Sequence, residues 1–455
     1  MIHKPSLFIL LVFVQFAFSQ NEVLSNEIKN HIKARVDEGF NPSIALAYLE
    51  DGKVTYFNYG STEVTKGKPV DEHTVYEIGS ISKVFTTILL ADEVLKGRMK
   101  LNDPISKYLP QTLSMPERDG KVITLQDLAT HTSGLPRMPE NFSPADYNNP
   151  FADYTVELLY EFLSSYELNR AIGSQYEYSN LGMGLLGHIL ELHTGETYEA
   201  LIKNRITEPL GMTHTGLTIT DTMKQNIAIG HTEQLEPVNH WDFKTLQGAG
   251  AIRSTTSDMV KFIEANLSTN DAALNKAMKL SHRIAFSDDS NKFNIGLGWH
   301  FANNNTITWH NGGTGGFRTF TGFLNNSNRG VVVLTNSVSS VDAIGMKLLD
   351  APIALELPKT IEFPDVIDVS DEVLNTYVGV YQLAPQFHIT ITRKENQLFL
   401  QATGQPEFKI FPFEIHKFFL KVVEARITFS ANEAGEIDSL TLHQGGQNMP
   451  GNKVE

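Results

Sequence analysis

The chain has 455 residues, of which 41% are hydrophobic and 20% charged, and its formal net charge is −15. This length favours two domains, and the composition is that of an ordinary globular protein. The acidic residues are spread along the chain, which argues against a nucleic-acid partner, because nucleic-acid binding needs a basic surface. The lack of cysteine excludes thiol catalysis, and no H-E-x-x-H or H-x-H spacing is present, so we expect neither a metal nor a cofactor.

The N-terminus has the pattern of a secretory signal peptide over residues 1–19. A short positive start, Met1–Lys4, precedes the apolar run Leu7–Phe18, and Ala17-Phe18-Ser19 fits cleavage between small residues. An uncleaved anchor is the alternative, but the run is short for a membrane span and no later run reaches eighteen apolar residues. We expect an exported protein, periplasmic or extracellular, without a stable membrane anchor.

The first elements of the mature chain are a helix and a hairpin. Residues Glu22–Val36 have amphipathic helical spacing, and the apolar, β-rich runs Ser43–Glu50 and Lys53–Tyr59 are joined by Asp51-Gly52. An Asp-Gly pair between such runs predicts a β-hairpin, because both turn positions favour positive φ.

A helix is predicted from Ser80 onwards. Apolar residues follow helical spacing, and Gly97 is placed to end the helix. Further apolar residues occupy its other faces, so we expect it to be buried nearly all round. The residues on the main stripe are Ile81, Val84, Phe85, Ile88, Ala91 and Leu95.

The remainder of the first domain reads as a helical region followed by strands. Residues 100–290 favour helices and polar loops, and a helix is predicted near Val341–Leu349. Strands at both ends with helices between them predict an α+β domain with an antiparallel sheet that both ends complete. The later strands are predicted at Phe293–Phe301, Thr306–His310, Phe317–Leu324 and Val331–Thr335.

The chain changes character after residue 350. Prolines punctuate residues 351–368, which we interpret as a linker. In residues 369–455, period-two alternation marks His388–Thr392, Arg426–Ser430 and Ser439–His443. Short strands with turn residues between them predict a small all-β barrel or sandwich.

Ser80-Ile81-Ser82-Lys83 is the only S-x-x-K sequence in the chain. A serine and a lysine three residues apart share one helix face, and a desolvated amine can accept the serine proton. Ser80 also lies at the predicted helix N-terminus, where free N–H groups favour negative charge. The alternative is an ordinary helix start.

Two further motifs follow in the chain. Tyr178-Ser179-Asn180 precedes an apolar segment, and its alternative reading is a helix-capping Asn beside a packed Tyr. Trp309–Phe317 contains four glycines but no following Lys-Ser/Thr, so a phosphate loop is disfavoured. We expect these glycines to let a substrate backbone lie close to the sheet, with a flexible turn as the alternative.

In this order, S-x-x-K, Y-x-N and the H-N-G of His310-Asn311-Gly312 resemble the penicillin-recognising serine hydrolases. This family includes class C β-lactamases, D-alanyl-D-alanine carboxypeptidases and D-aminopeptidases. Supporting stretches are Leu128–Pro136, Glu208–Met212 and Gly248–Gly250. The resemblance implies a β-lactamase/transpeptidase-like domain over residues 20–350, followed by a domain that resembles a lipocalin-like β-barrel over residues 369–455.

The resemblance also implies roles. Ser80 would carry the acyl group, Lys83 and Tyr178 would move its proton with Tyr178 favoured as a phenolate, and Asn180 would orient Lys83 and bind the substrate amide. Backbone N–H groups of Ser80 and Gly313 would form the oxyanion hole, and His310 would help to bind a substrate carboxylate. The implied catalytic residues are Ser80, Lys83 and Tyr178, and the implied substrate-binding residues are Asn180, His310, Asn311, Gly312 and Gly313.

We therefore expect an exported serine hydrolase that forms an acyl-enzyme at Ser80 on a small-molecule or peptide substrate. Amides or esters of D-amino-acid or peptidoglycan type are the expected substrates, with β-lactams as acylating mimics. His310 replaces the lysine common in the family and favours the peptidase and esterase branches. The alternatives are a true class C-like β-lactamase, or a catalytically weak penicillin-binding protein with a binding role. We expect His131 to fix a loop rather than to do chemistry.

Overall fold

The computed structural model describes residues 23–288, 293–359, 363–384, 387–403, 405 and 407–454. The predicted signal peptide, residues 1–19, lies outside the described residues. Within the described ranges, none of the helices combines the length and the apolar character needed to cross a membrane.

The helices alternate with loops through the first three quarters of the chain. The helices are α1 Asn26–Asp37, α2 Ser82–Leu95, α3 Leu125–Ala129, α4 Val156–Ser165, α5 Asn180–Thr194, α6 Tyr198–Ile202, α7 Glu208–Leu210, α8 Asp221–Lys224, α9 Thr256–Leu267, α10 Ala273–Ser281, α11 Asp342–Leu348 and α12 Asp371–Thr376. Short 3₁₀ turns lie at Gly79–Ile81, Ile105–Lys107 and Gln247–Ala249, and a π-turn at Lys203–Thr207.

The strands fall into two groups, separated by the segment between α11 and α12. The strands before it are β1 Ser43–Glu50, β2 Lys53–Gly60, β3 Tyr76–Glu77, β4 Glu117–Arg118, β5 Lys121–Val122, β6 Gly230–His231, β7 Pro237–Val238, β8 Arg253–Ser254, β9 Phe286–Asp288, β10 Phe293–Ile295, β11 His300–Ala302, β12 Ile307–Gly313, β13 Arg318–Leu324 and β14 Arg329–Thr335. The strands after it are β15 Gly379–Ala384, β16 Phe387–Lys394, β17 Gln397–Ala402, β18 Glu407–Glu414, β19 Lys417–Leu420, β20 Ala425–Ala431, β21 Ile437–Gln444 and β22 Gln447–Lys453.

The larger domain, from α1 to α11, is built on an antiparallel sheet that both of its ends complete, as predicted. The strand order is β2-β1-β14-β13-β12-β11-β10-β9. The hairpin β1–β2 forms at Asp51-Gly52, whose φ values of 49° and 76° are both positive. On its other side β1 pairs with β14, Ile44 opposite Thr335, so the first and last strands meet in mid-sheet.

Both faces of this sheet are covered. Alternate residues of β1 point to opposite sides, so Ala45 and Ala47 join the core that includes α2, α5 and α9, whereas Ile44 and Leu46 pack with α1 and α11. Helix α2 is buried on every side from Ser82 to Glu93, as its apolar pattern predicts. A buried helix can therefore carry an ionisable side chain far from water.

One predicted strand is wrong. Phe293–Phe301 is not a single strand but two, β10 and β11, which pair as a hairpin. The chain turns between them because Gly298 adopts φ +74° and Gly296 N–H donates to the carbonyl of Trp299 (2.8 Å). An apolar run that turns back on itself has the same composition as one long strand.

The C-terminal strands β15–β22 form a closed antiparallel barrel, which decides between the predicted barrel and sandwich. Each strand pairs with its neighbour in sequence, and β22 closes against β15. Rings fill the interior: Phe429 stacks on Tyr377 at the end of α12 (centroids 4.5 Å apart) and contacts Phe418 edge-on at 5.5 Å. The barrel core is thus packed with side chains.

The connecting segment, residues 351–359 and 363–370, carries no regular secondary structure. Phe363 stacks on Phe419 of the barrel (5.4 Å), and Ile367 N–H donates to the Pro412 carbonyl at 2.9 Å. The segment therefore lies along the barrel wall. The domain bounds, with a linker at 351–368, stay a prediction.

Candidate active site

Ser80 lies on a 3₁₀ turn that leads into α2. The turn depends on Gly79, whose φ of +51° is unfavourable for other residues. A Cβ at Gly79 would also lie 2.7 Å from the backbone N of Gly313. Glycine is therefore required both by the local backbone and by the close approach of β12, and this approach places the Gly313 peptide beside the serine.

Lys83 is fully buried, one turn along α2 from the serine. Its Nζ lies 2.9 Å from Ser80 Oγ and donates to the Ala249 carbonyl at 2.6 Å. Burial holds the pKa of Lys83 well below its usual value, and the positive charge of Arg137 lowers this pKa further. A neutral amine with one N–H given to a carbonyl keeps its lone pair for the serine hydroxyl.

Tyr178 precedes α5 and faces the same pair. Its side chain is hydrogen-bonded to Ser80, and Lys83 Nζ lies 4.8 Å from its ring centroid. His131 holds this segment in place, because its Nδ1 accepts from Ser179 N–H (3.1 Å) and its ring lies 4.6 Å from the ring of Tyr178. The expectation that His131 fixes a loop is confirmed.

The expected phenolate at Tyr178 is not supported. Burial raises the pKa of Tyr178 to about 12, although Ser80 and Arg137 each act to lower it. Burial lowers the pKa of Lys83 instead. Burial therefore favours the neutral form of both groups, since a low-dielectric environment disfavours each charged form. The prediction of a phenolate came from the family resemblance, whereas the burial of both side chains favours Lys83 as the base.

Asn180 does not orient Lys83 in the described part of the chain. Its Nδ2 instead contacts Met138 Sδ at 3.7 Å, and the Ala249 carbonyl holds the amine. The helix is capped by Ser179, whose Oγ accepts from Gly182 N–H at 2.8 Å. The alternative prediction, that Asn180 caps the helix, is also wrong, because the capping residue is Ser179, one position earlier.

His310 differs from its expected role. The side chain is fully buried, its Nδ1 lies 2.5 Å from the Asn311 carbonyl, and its ring stacks on His300 with centroids 4.9 Å apart. Burial, followed by His300 and Lys83, holds the pKa of His310 well below its usual value. Burial therefore favours the neutral imidazole, and a side chain that does not line the cleft is not placed to bind a substrate carboxylate.

The glycines of β12 permit close packing within the protein itself. A Cβ at Gly312 would lie 2.0 Å from the Ile78 carbonyl oxygen, so this strand is fixed against the turn that carries Ser80. Gly313 is exposed to the cleft. Asn311 lines the cleft and donates from Nδ2 to Asp342 Oδ2 at 2.7 Å, so one of its amide N–H groups is already bonded within the protein.

 The cleft has a volume of about 500 Å³, and its walls contain residues that the motifs did not indicate. The residues that the motifs missed are Arg137, Trp241, His300, Thr314 and Arg318. Arg137 directly follows the Leu128–Pro136 stretch and Arg318 follows the glycine-rich loop, so their positions in the chain were the available signal. The cleft carries two guanidinium groups and favours an anionic substrate.

Comparison with known proteins agrees with this arrangement. The β-lactamase family model matches residues 28–355, and the model of a domain of unknown function (DUF3471) matches residues 364–453. The chain is 31% identical over 242 residues to a β-lactamase of Yersinia enterocolitica, an alignment that covers 53% of this chain and 58% of that protein, which is less than two thirds of its length. It is 30% identical over 312 residues to the D-alanyl-D-alanine-carboxypeptidase/endopeptidase AmpH of Escherichia coli (strain K12), covering 65% of this chain and 79% of that protein.

A solved structure of a class C β-lactamase has the same fold. It superposes with a TM-score of 0.62 at 24% identity and covers 71% of this chain and 96% of that one. The fold, the matched family model and the Ser80–Lys83 pair on a buried helix all agree. The chain belongs to the β-lactamase family of serine hydrolases.

Proposed function

We propose that this protein is an exported hydrolase that forms an acyl-enzyme at Ser80. The proposed substrates are amides or esters of D-amino-acid or peptidoglycan type, with β-lactams as acylating mimics. The observation that carries the proposal is the contact between Ser80 Oγ and the fully buried Lys83 Nζ at 2.9 Å. A hydroxyl needs a nearby base to become a strong nucleophile, and this amine is the base.

In the acylation step, Lys83 takes the proton of Ser80 while Oγ forms a bond to the substrate carbonyl carbon. The carbonyl π electrons move to oxygen, and the backbone N–H groups of Ser80 and Gly313 are the proposed donors to this oxyanion. The tetrahedral intermediate then collapses and breaks the bond to the leaving group, which receives the proton of the Lys83 ammonium, either directly or through the Tyr178 hydroxyl. In the deacylation step, a water molecule gives a proton to Lys83 and attacks the acyl carbon. The bond to Ser80 Oγ then breaks, Ser80 regains its proton and the acid is released.

The charge of the cleft supports a substrate with a carboxylate. Arg137 and Arg318 line the cleft, and the Arg137 guanidinium lies 5.0 Å from the Tyr178 ring centroid. D-Amino-acid amides and peptidoglycan fragments carry carboxylates that guanidinium groups bind well. The AmpH relative is named as a D-alanyl-D-alanine carboxypeptidase, which supports the same class.

The test combines covalent trapping with turnover. The mature protein is incubated with a fluorescent penicillin, and intact mass shows whether one acyl group is added. The Ser80→Ala variant is the control and should show no adduct. Absence of an adduct on the wild type, together with unchanged ester turnover in Ser80→Ala, would overturn the proposal.

Parallel assays separate the proposal from its alternatives. They use a chromogenic cephalosporin, a D-Ala-D-Ala peptide, a D-amino-acid anilide and a short p-nitrophenyl ester. Fast cephalosporin turnover would favour a true β-lactamase, and a stable adduct without turnover would favour a penicillin-binding protein. The packed rings inside the barrel weigh against a ligand held there. Export is tested by N-terminal sequencing of the mature chain, with cleavage expected after residue 19.

A further inference from the structure

A second cavity of about 720 Å³, here named the junction cavity, lies where the larger domain, the connecting segment and the barrel meet. Phe40 lines it from the larger domain, Phe363 from the connecting segment, and Phe408 and Val422 from the barrel. Its volume is within the range of small-molecule sites, and its mixed apolar and polar walls are typical of them.

A hydrogen bond spans the junction on one side of this cavity. Gln234 Nε2 donates to the Lys421 carbonyl at 2.6 Å, and Lys421 directly precedes Val422. Gln234 lies in the turn between β6 and β7, and the chain continues from β7 to Trp241 in the catalytic cleft. The barrel therefore contacts the same turn that leads to the wall of the cleft.

The junction cavity and the catalytic cleft share Arg318. Thr314 lines the cleft and the next residue, Gly315, lines the junction cavity, so the two spaces adjoin each other along the loop after β12. Arg318 Nη1 lies 3.0 Å from the position of a Cβ on Gly313, beside the proposed oxyanion hole. A group bound by Arg318 would therefore lie close to the reacting carbonyl.

The guanidinium of Arg318 has no ion-pair partner among the described residues. Its Nη1 donates to the carbonyls of Thr314 (2.9 Å) and Phe317 (2.8 Å), which leaves the other N–H groups for a ligand. Asp342 attracts it electrostatically, but that carboxylate accepts from Asn311. Burial lowers the pKa of Arg318, which shows that its charge has lost part of its hydration, and an anionic ligand would offset this cost.

The proton carriers indicate which part of the substrate reaches this side. The leaving group must receive a proton and so would lie near Tyr178 and Lys83. An acyl group directed away from these two side chains would extend along the loop from Gly313 to Gly315, where the cleft and the junction cavity share Arg318.

We propose that the junction cavity binds the acyl part of the substrate, with Arg318 binding a carboxylate on that part. This inference rests on the proposed acyl-enzyme chemistry and adds a substrate class, a peptide-like acyl donor with a single carboxylate. Glu38, Glu233 and Glu236 line the same cavity together with Lys359, so we expect the acyl part to carry only the carboxylate that Arg318 binds and no further negative charge.

The first experiment tests Arg318 with two matched esters, succinyl-D-alanine p-nitrophenyl ester and its succinyl methyl ester. The wild type should prefer the free carboxylate by about tenfold in kcat/KM. Arg318→Gln should lose this preference, and Arg318→Lys should keep part of it because the charge remains. Equal loss in both variants, or no preference in the wild type, would overturn the role of Arg318.

The second experiment tests the cavity from the barrel side. Val422→Trp would fill it, and Val423→Trp is the matched control because Val423 is also exposed but does not line the cavity. Val422→Trp should lower the ratio of kcat/KM for succinyl-D-alanine p-nitrophenyl ester to that for p-nitrophenyl acetate by about fivefold or more. The control should leave the ratio unchanged. An unchanged ratio in Val422→Trp would overturn the inference.

The two proposals fail in different ways. Loss of the acyl-enzyme proposal would appear as turnover of p-nitrophenyl acetate that does not depend on Ser80. Loss of the cavity proposal alone would leave turnover dependent on Ser80 while both substrate preferences stay unchanged in the variants.

Discussion

The barrel core and the core of the larger domain differ in how completely their buried polar groups are hydrogen-bonded. In the barrel, Tyr377 pairs its hydroxyl with His416 Nδ1 (2.9 Å), and Tyr381 donates to the Tyr377 carbonyl at 2.8 Å. Among the described residues, every buried side-chain polar atom without a hydrogen-bond partner lies before residue 328. Around Ser80 these atoms include His131 Nε2, His310 Nε2 and Thr314 Oγ1.

The unpaired polar groups around Ser80 indicate a region where the needs of catalysis reduce the stability of the fold. An unpaired buried polar group costs about 1–3 kcal/mol, and a core built only for stability avoids it. The larger domain accepts this cost beside the cleft, where buried imidazoles and a buried amine with lowered pKa values surround the nucleophile. We expect substitutions near Ser80 to change kcat/KM more than the free energy of unfolding. Substitutions in the barrel should change the free energy of unfolding more than kcat/KM.

The largest expected effect is at Lys83. Lys83→Met should lower kcat/KM by about 10³-fold or more, because the base is lost. It should also raise the free energy of unfolding by about 1 kcal/mol, because an apolar side chain replaces a buried amine. Ester turnover and urea unfolding followed by tryptophan fluorescence measure the two changes; Trp241, Trp299 and Trp309 all lie in the larger domain.

Exposed Lys276 on α10 supplies the control for this comparison. Lys276→Met should change neither quantity appreciably. Activity within tenfold of the wild type in Lys83→Met would contradict the assignment of Lys83 as the base.

A second comparison uses two glycines with positive φ. At Gly79 (φ +51°) a Cβ would meet the Gly313 peptide, whereas Gly97 (φ +70°) has open space around it. Both substitutions to Ala should cost about 1 kcal/mol of stability from backbone strain. Only Gly79→Ala should also lower kcat, by about 10²-fold, because the proposed oxyanion hole is displaced. Equal kinetic loss in both variants would contradict this.

The pH dependence of stability should also distinguish the regions. Burial lowers the pKa of His300 from 6.5 to about 4, so the unfolded chain binds a proton that the folded protein excludes. Its contribution to stability is complete above pH 6.5 and is lost as the pH falls towards 4, by about 1.4 kcal/mol per pH unit. Urea unfolding across this range should show a shallower slope for His300→Gln.

Tyr176→Phe is the matched control for this measurement. It removes the hydroxyl that lies 3.2 Å from His300 Nε2 but leaves the imidazole in place. Its pH slope should match that of the wild type. A steeper or equal slope in His300→Gln would show that His300 does not titrate in this window.

The smallest expected effect lies in the barrel. Tyr377→Phe removes the bond to His416 and should cost about 1 kcal/mol of barrel stability without changing kcat/KM. Hydrogen exchange of residues 418–429 measures the local stability. A change in ester turnover would contradict the separation between the two regions.

Local features of the fold were predictable because they depend on near neighbours. The Asp51-Gly52 turn, the buried helix α2 and the Ser80–Lys83 contact all follow from spacing within a few residues. The Ala249 carbonyl was not predictable as the partner of Lys83, because it approaches from 166 residues away. Only the folded chain brings the two together.

The predictions that failed at the active site have a physical explanation. His310 was expected to help to bind a substrate carboxylate because the resemblance placed it where lysine is common, but its side chain is fully buried and stacks on His300. Arg318 follows a glycine-rich loop and has no periodic signal that marks its side chain as part of a cleft. The charge state of a side chain depends on its burial, and the meeting of distant residues depends on the whole fold. A short sequence motif contains neither kind of information.

The pairing of β1 with β14 has a consequence for how the chain folds. The sheet of the larger domain cannot be completed until residue 335 has been made, since Ile44 pairs with Thr335. By contrast, most barrel strands pair with their immediate neighbours in sequence, which favours fast folding. We expect the larger domain to fold slowly, with the Ser80 region open to solvent until the late strands arrive, while the barrel forms rapidly once it has been synthesised.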